Sequence, residues 1–341
     1  MGRVWIQSFI GYIFAAKIFM QFFLPISISP LQKPIEYADK IYLTGSCFTE
    51  HISAFFRKAK FQVLDNSHGI LFNPISVCRA LQDVIENKKY GDEDLFCLNE
   101  YWHSWFHHSD FSFLNKEDCL QKINEHIEAH HLFLKESKYL IVTFGSAFAY
   151  FLKEKNIYVS NNHRAPHQWF RKDLLETSFM VNELQVLKSA LRNLNGDCEI
   201  IFTISPVRHS RDGVVENSRS KARLIEAVHQ IEGTYYFPSY ELIIDVLRDY
   251  RFYDSDLVHP NYAATLYVWQ QFVLHCIHPQ ERETMQQMEE LYKALHHNPK
   301  DKLSKAHEQF LMSFLEKTID LKNRFPFLDF EKEERYFRKM K

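Results

Sequence analysis

Three observations predict an α/β protein built on a parallel sheet. Five brief β-branched or aromatic runs recur along the chain, amphipathic stretches of helical length lie between them, and no internal repeat interrupts the alternation. The 341 residues suffice for one large core, and 30 Phe and 17 Tyr beside only 9 Gly predict a bulky, aromatic interior.

The strand runs are Lys40–Thr44, Phe61–Asp65, Tyr139–Phe144 (YLIVTF), Cys198–Ile204 (CEIIFTI) and the short Tyr235–Phe237. Thr49–Lys60, Ile75–Asn87, Lys116–Glu136, Met180–Leu194, Ser218–Gln230 and Tyr240–Asp249 supply the helices between them, and Tyr262–Cys276 follows Pro260. From Pro279 the composition turns to Glu, Lys, Gln and Met. Apolar positions at Met285, Met288, Leu291/Tyr292 and Leu295, then at Leu303, Ala306, Phe310, Phe314 and Leu321, predict two amphipathic helices separated by HHNPKD. No catalytic pattern falls there, so residues 279–341 read as a helical appendage, for packing or for a protein partner, behind an α/β domain at 24–278. Ahead of that domain, residues 1–23 form an apolar leader. Val4–Phe23 follows Arg3 and is interrupted by Gln7, Lys17 and Gln21. It is either a signal or membrane anchor, or an extraneous leader from a translation start placed before Met20.

Composition excludes several classes. With 41 basic against 43 acidic residues, a formal charge of −2 and no long basic run, nothing favours capture of a nucleic-acid backbone. Cys47, Cys78, Cys97, Cys119, Cys198 and Cys276 are scattered with no C-x-x-C pair, which argues against a disulfide framework and against a cysteine zinc site. A reducing, cytoplasmic setting fits, unless residues 4–23 export or anchor the chain. Dinucleotide, P-loop, H-E-x-x-H and G-x-S-x-G signatures are all missing.

Chemistry concentrates in YLTGSCFTEH, where the turn after the first strand carries both a hydroxyl, Ser46, and a thiol, Cys47. Adjacent residues leaving a strand point in different directions, so only one of them faces a site. The plain alternatives are a helix N-cap for Ser46 and a small core residue for Cys47. A hydroxyl needs a base, and YDSDLVHPNY offers Asp256 three residues before His259. A carboxylate bonded to one ring nitrogen fixes the tautomer and leaves the other nitrogen free to take a proton. Both segments follow sheet strands, where open α/β sheets build their sites.

These residues resemble the SGNH (GDSL-like) hydrolase superfamily, and within it the GSCFA-domain family. The motifs are GSCFTEHI, NSHGILFNPISV, WHSWFHHSDFS, VTFGSAFAY, NNHRAP, TISPVRH, ENSRSKA and DLVHPN, spread from about Phe22 to the C-terminal segment. The resemblance implies a three-layer α/β/α sandwich with a mostly parallel sheet in flavodoxin-like order. It also implies a serine nucleophile at Ser46 and a catalytic Asp256–His259 pair, with no cofactor. It implies an oxyanion hole made from the Ser46 amide, a glycine amide that maps onto Gly69, and an asparagine side chain. The chain departs from that pattern at the asparagine, because the block after the third strand reads Gly145-Ser146-Ala147. Ser146, Asn73 or the Asn162-His163 pair are the replacements within reach of the sequence.

Further polar residues invite substrate contacts. His107 and His108 stand with His103 among aromatics in WHSWFHHSDFS, His163 lies in NNHRAP, and Arg208 and His209 follow the fourth strand. Each has a bland counterpart as a core or surface residue. His126 and His130 share a helical face at zinc-compatible spacing but lack an evident third ligand, so no metal is assigned. The implied activity is a serine esterase, or an O-acyltransferase, acting on a small ester such as an O-acylated carbohydrate. The contrasting reading is a binding protein that keeps the fold without efficient catalysis.

Overall fold

Residues 24–338 are described by a computed structural model, and the apolar leader predicted at 1–23 lies outside them. In chain order the first elements are β1 (Lys40–Gly45), α1 (Cys47–Lys58), β2 (Gln62–Asp65), α2 (Pro74–Ile85), β3 (Leu95–Leu98), β4 (Tyr101–Ser104) and α3 (Lys116–Lys135). There follow β5 (Tyr139–Phe144), β6 (Phe148–Leu152), β7 (Ile157–Val159), β8 (Phe170–Leu174), α4 (Thr177–Leu194), β9 (Glu199–Ile204), α5 (Val214–His229) and β10 (Tyr235–Phe237). A short helical stretch, Ser239–Leu247, leads to α6 (Tyr262–Cys276), α7 (Glu281–Leu295), α8 (Lys305–Arg324) and α9 (Glu331–Phe337).

The five predicted strand runs pair in parallel, in the order β10-β9-β5-β1-β2. Counted as sheet strands this is the flavodoxin-like order, which reverses direction between β1 and β5 and opens a crevice at their carboxyl ends. Register sorts the side chains into two layers. Leu43, Ile141 and Ile201 stand side by side and join one core with Phe56 of α1 and Trp269 of α6. Tyr42, Leu140 and Ile200, one residue earlier, face the opposite core with Leu81 of α2, Leu184 of α4 and Leu224 of α5. Burial on both faces is why these strands read as unbroken apolar runs.

The C-terminal helices extend the first of these cores. Met288 and Leu291 of α7, Leu311 and Leu321 of α8, Phe330 and Phe337 belong to the same cluster as Ile41 and Leu43. Lys60 anchors the connection, with its ammonium 2.6 Å from the carbonyl oxygen of Asp329, 2.9 Å from the Glu333 carboxylate and 4.8 Å from the centre of the Phe330 ring. Two details differ from the predicted pattern. A third helix, α9, is present, and although Leu321 is buried as expected, the rest of the buried face of α8 runs through Leu311 and Thr318 while Leu303 is almost fully exposed. No described helix is long and apolar enough to cross a membrane.

Two small antiparallel units were not predicted. β3 and β4 form a hairpin, and β6 pairs with both β7 and β8. The WHSWFHHSDFS motif therefore begins on a strand and passes into the loop behind it. On α3, His130 is buried, with Nδ1 2.8 Å from the Tyr42 hydroxyl, and its ring lies 5.8 Å from that of His126.

Candidate active site

Ser46 leaves the carboxyl end of β1 and occupies the N-cap position of α1. Gly45 makes the exit with φ +136°, a backbone conformation that side chains rarely adopt, and a methyl there would meet the Thr143 carbonyl oxygen at 2.1 Å. A capping serine accepts a hydrogen bond from the first helical turn. Ser46 does not. Its Oγ caps nothing, is buried, and has no hydrogen-bond partner among the described residues. An unpaired buried hydroxyl costs about 1–3 kcal/mol, and a fold tolerates that where the group has another task. Beside it the Cys47 thiol is half-buried, and burial, followed by the nearby Glu50 carboxylate, raises its pKa, which disfavours the thiolate a nucleophile needs.

The loop before α6 brings Asp256 to His259 as the sequence predicts. His259 Nδ1 lies 2.7 Å from Asp256 Oδ2, while Asp256 Oδ1 accepts the amides of Val258 (2.8 Å) and His259 (3.0 Å). The His259 side chain bond, then those two amides, hold the carboxyl down to about 2. A carboxylate only accepts, so Nδ1 carries the proton and Nε2 keeps a lone pair. Both side chains are nearly half exposed, and the Ser46 hydroxyl is not bonded to His259 in this conformation.

Over Ser46 sits the segment after β5. A methyl on Gly145 would come within 3.1 Å of His209 Nε2, 3.3 Å of Ser46 Cβ and 3.5 Å of the Phe72 ring, so these three groups converge on one small space. Phe72 meets the His209 ring edge-to-face, with centroids 5.6 Å apart. His209 Nε2 is buried with no partner among the described residues, and burial, reinforced by the nearby Lys221 side chain, lowers its pKa to about 4. The imidazole is therefore neutral near pH 7. The Arg208–His209 segment is joined to the His259 loop, because the Arg208 amide donates to the Val258 carbonyl at 3.1 Å. Arg208 itself stacks on Tyr253 and Tyr250, at 4.1 and 5.0 Å from their centroids.

α5 braces this arrangement from below. Its buried stripe is Asn217, Ser220, Lys221, Leu224, Ala227 and Val228, polar in the first turns and apolar beyond. Asn217 Oδ1 accepts the His209 amide at 2.9 Å, and Ser220 Oγ accepts the Ala147 amide at 2.7 Å. Lys221 Nζ donates to the carbonyls of Gly145 and Ser205, both at 2.6 Å, tying the ends of β5 and β9 together. None of these roles was assigned from the sequence. The available signal was three polar residues at i, i+3 and i+4 in line with the apolar stripe of an otherwise amphipathic helix.

The remaining predicted residues fall elsewhere. In this conformation the Ser46 amide donates to Thr143 O at 3.0 Å and the Gly69 amide to Asn66 O at 2.9 Å, so neither is free. Gly69 is required for a different closeness, since a methyl there would strike His108 Cβ at 2.4 Å. Ser146 Oγ turns inward, accepting the Phe148 amide (3.1 Å) and facing Ser220 Oγ (3.4 Å). Asn73 caps α2 through the Ser76 amide, and Asn162 Oδ1 closes a turn onto the Arg164 amide at 3.2 Å. His163 bonds the Ser104 carbonyl at 2.8 Å. His107 is completely enclosed, stacked 4.0 Å from His68, and so meets no open surface. His68 belongs to a buried chain, Ser67–His68–Asp83–Tyr90, that holds the second loop in place. His108 is part-exposed and 3.0 Å from the Asp110 carboxylate, without hydrogen-bond alignment. A separate cavity of about 550 Å³ opens by the amino ends of β9 and β10, lined by Lys33, Lys188, Arg192, Glu199 and Tyr235, and contains none of these groups.

Comparison with known proteins places the chain. The GSCFA family matches residues 40–272, and the GSCFA domain protein C-terminal domain matches residues 288–340. No curated protein matches. Similar solved structures include a carbohydrate esterase family 3 protein from Talaromyces cellulolyticus, at 8% identity and TM-score 0.36, covering 73% of this chain and 98% of that one. Another is an acetyl xylan esterase from the rumen bacterium Butyrivibrio proteoclasticus, at 10% identity and TM-score 0.37, covering 75% and 66%. Because the match at 40–272 runs unbroken from β1 into α6, through the serine turn and the Asp-x-x-His loop alike, the chain belongs to the GSCFA family.

Proposed function

We propose that the protein is a serine esterase or acyltransferase that acts on a small ester through Ser46, His259 and Asp256. The observation that carries this reading is the Ser46 hydroxyl, buried and unpaired at the point where the sheet reverses its strand order. A serine kept for capping alone is normally bonded to the first helical turn, and the absence of that bond at Ser46 supports the reading. The formed Asp256–His259 pair supplies a base of fixed tautomer.

In the proposed reaction His259 Nε2 takes the Ser46 proton as Oγ attacks the ester carbonyl, and the carbonyl electron pair moves onto oxygen. Asp256 steadies the imidazolium. Collapse of the tetrahedral adduct returns the proton to the leaving alkoxide and leaves an acyl-enzyme, which water or an acceptor hydroxyl resolves. Catalytic hydrogen bonds are commonly loose without substrate and tighten in the complex, which accords with the unbonded serine. Phe72 and His209 crowd the space at Gly145, which favours a short acyl group such as acetyl. The alcohol part would be a carbohydrate or a related metabolite, as the superfamily resemblance implies.

A second reading, a binding protein on the same fold, draws on the engaged amides of Ser46 and Gly69. A fluorophosphonate probe separates the two. Covalent labelling of the Ser46 peptide that disappears in Ser46→Ala and falls in His259→Ala supports the enzyme. Folded protein that takes no label leaves the binding protein standing.

A further inference from the structure

Acyl transfer needs donors aimed at the carbonyl oxygen as it becomes negative, and this chain lacks the asparagine that would serve after β5. The substitutes open to sequence reasoning have other work. Ser146 Oγ accepts the Phe148 amide and faces Ser220, while Asn73 and Asn162 have their Oδ1 atoms committed to the Ser76 and Arg164 amides, which fixes these side chains locally, at the start of α2 and in their own turn. The amides of Ser46 and Gly69 are bonded to carbonyls. Among the described residues the buried, unpaired side-chain groups around the serine turn are Thr49 Oγ1, Asn66 Nδ2 on the residue that accepts the Gly45 amide, and His209 Nε2, and it is His209 Nε2 that stands on the same small space at Gly145 as Ser46 Cβ.

We infer that His209 is a catalytic residue, the side-chain donor of the oxyanion hole, standing where the family resemblance leads one to expect an asparagine. The inference rests on Ser46 being the nucleophile. His209 is suited to donating rather than accepting. A base must take up a proton and become an imidazolium, and here the charge would form in a buried position with the Lys221 ammonium close by. A neutral imidazole instead keeps a fixed N–H dipole that needs no rearrangement as the reaction proceeds. The backbone holds it in place at both sides, through Asn217 on α5 and through the Arg208 amide on the His259 loop. During attack Oγ bonds to the acyl carbon, the proton passes to His259, and the oxyanion accepts a hydrogen bond from His209 Nε2–H with no proton transferred. Collapse reverses that polarisation.

The test compares wild type with His209→Ala, His209→Asn and His209→Gln. Readouts are kcat and KM for 4-nitrophenyl acetate across pH, and the rate of fluorophosphonate labelling. Loss of one such donor costs about 100-fold or more. His209→Ala is therefore expected to lower kcat and the labelling rate by about that factor with KM little changed. The amide variants, which donate but cannot act as bases at neutral pH, recover a large part of the loss and leave the shape of the pH profile as in wild type. Unfolding of each variant is followed in urea, and if the alanine variant unfolds, His209→Gln carries the comparison because it retains most of the side-chain volume. Labelling and turnover of His209→Ala within threefold of wild type overturn the assignment, a threshold well inside the loss expected for an oxyanion donor. So does a His209→Gln protein as inactive as His209→Ala whose acid limb has vanished, which would make His209 the base. A wild-type protein that takes no label, or labels equally after Ser46→Ala, overturns the nucleophile reading and this inference with it.

Discussion

The side-chain nitrogen Nζ of Lys221 lies 2.6 Å from the carbonyl oxygen of Gly145, a fully buried amine bonded to the backbone beside the serine turn. Burial pulls its pKa down to about 7. The Gly145 carbonyl and the Ser205 carbonyl both depend on this one group. Lys221→Met keeps the packing and strips two buried acceptors, so stability in urea is expected to fall by about 2–4 kcal/mol. Activity is expected to fall further than stability explains, because Gly145 and the His209 segment lose their common tether. An unchanged urea midpoint would contradict this.

Asp256 tests orientation apart from folding. Asp256→Asn keeps an oxygen for the Val258 and His259 amides and loses the anion facing Nδ1. Comparable triads lose about 10⁴ in kcat from this change, through the wrong tautomer. The side chain is nearly half exposed, so the urea midpoint is expected to stay close to that of wild type. Kinetics and urea unfolding on the same preparation decide it, and retained turnover would remove Asp256 from the mechanism.

Two glycines should separate fold from function. Gly45→Ala forces a methyl to 2.1 Å from the Thr143 oxygen at φ +136°, in a backbone region that costs about 1–3 kcal/mol even before the clash. Poor folding is expected. Gly145→Ala meets side chains rather than backbone and fills the space that Ser46 and His209 share. This variant is expected to melt close to wild type and to lose at least about tenfold in kcat/KM, from displacing the reacting geometry. Equal stability losses in the two variants would be the wrong result.

Acid should unfold this protein early. Burial lowers the pKa of His130 to about 3 and of His163 and His209 to about 4, and sets His107 well below its ordinary 6.5. The folded value is the depressed one, so between pH 6.5 and about 4 the unfolded chain binds more protons than the folded chain. The stabilisation is therefore complete above pH 6.5 and is lost progressively as pH falls towards those folded values. Each fully titrating histidine contributes a slope of about 1.4 kcal/mol per pH unit. Urea unfolding between about pH 7 and pH 5 checks this, and a flat profile would refute it.

The sheet strands were legible because burial on two faces writes them as continuous apolar runs, and Tyr139–Phe144 and Tyr235–Phe237 have the predicted bounds. The β3–β4 hairpin was not. Its two-residue turn is Asn99-Glu100, both at positive φ (52° and 70°), and glutamate at the second position hides a turn that glycine would have announced. In the candidate site, the Asp256–His259 contact was legible because its spacing is local, and the position of Ser46 in a turn was legible because it directly follows an apolar strand run. His209 and Lys221 were not, since their proximity to Gly145 depends on how the β9 loop and α5 fold back across the sheet. His107 misled for a related reason. Its aromatic surroundings were real, but they enclose it.

The packing of α7–α9 against α1 has a consequence for the birth of the protein. Phe48 and Phe56 on the serine helix share a core with Leu291, Phe330 and Phe337, and Lys58 reaches the ring of Tyr292. A ribosome adds about 5–20 residues per second, so the serine turn leaves it on the order of tens of seconds before those partners exist. Until they emerge, one side of α1 is greasy and uncovered, a surface for chaperones to guard. Ser46 is made early and framed late.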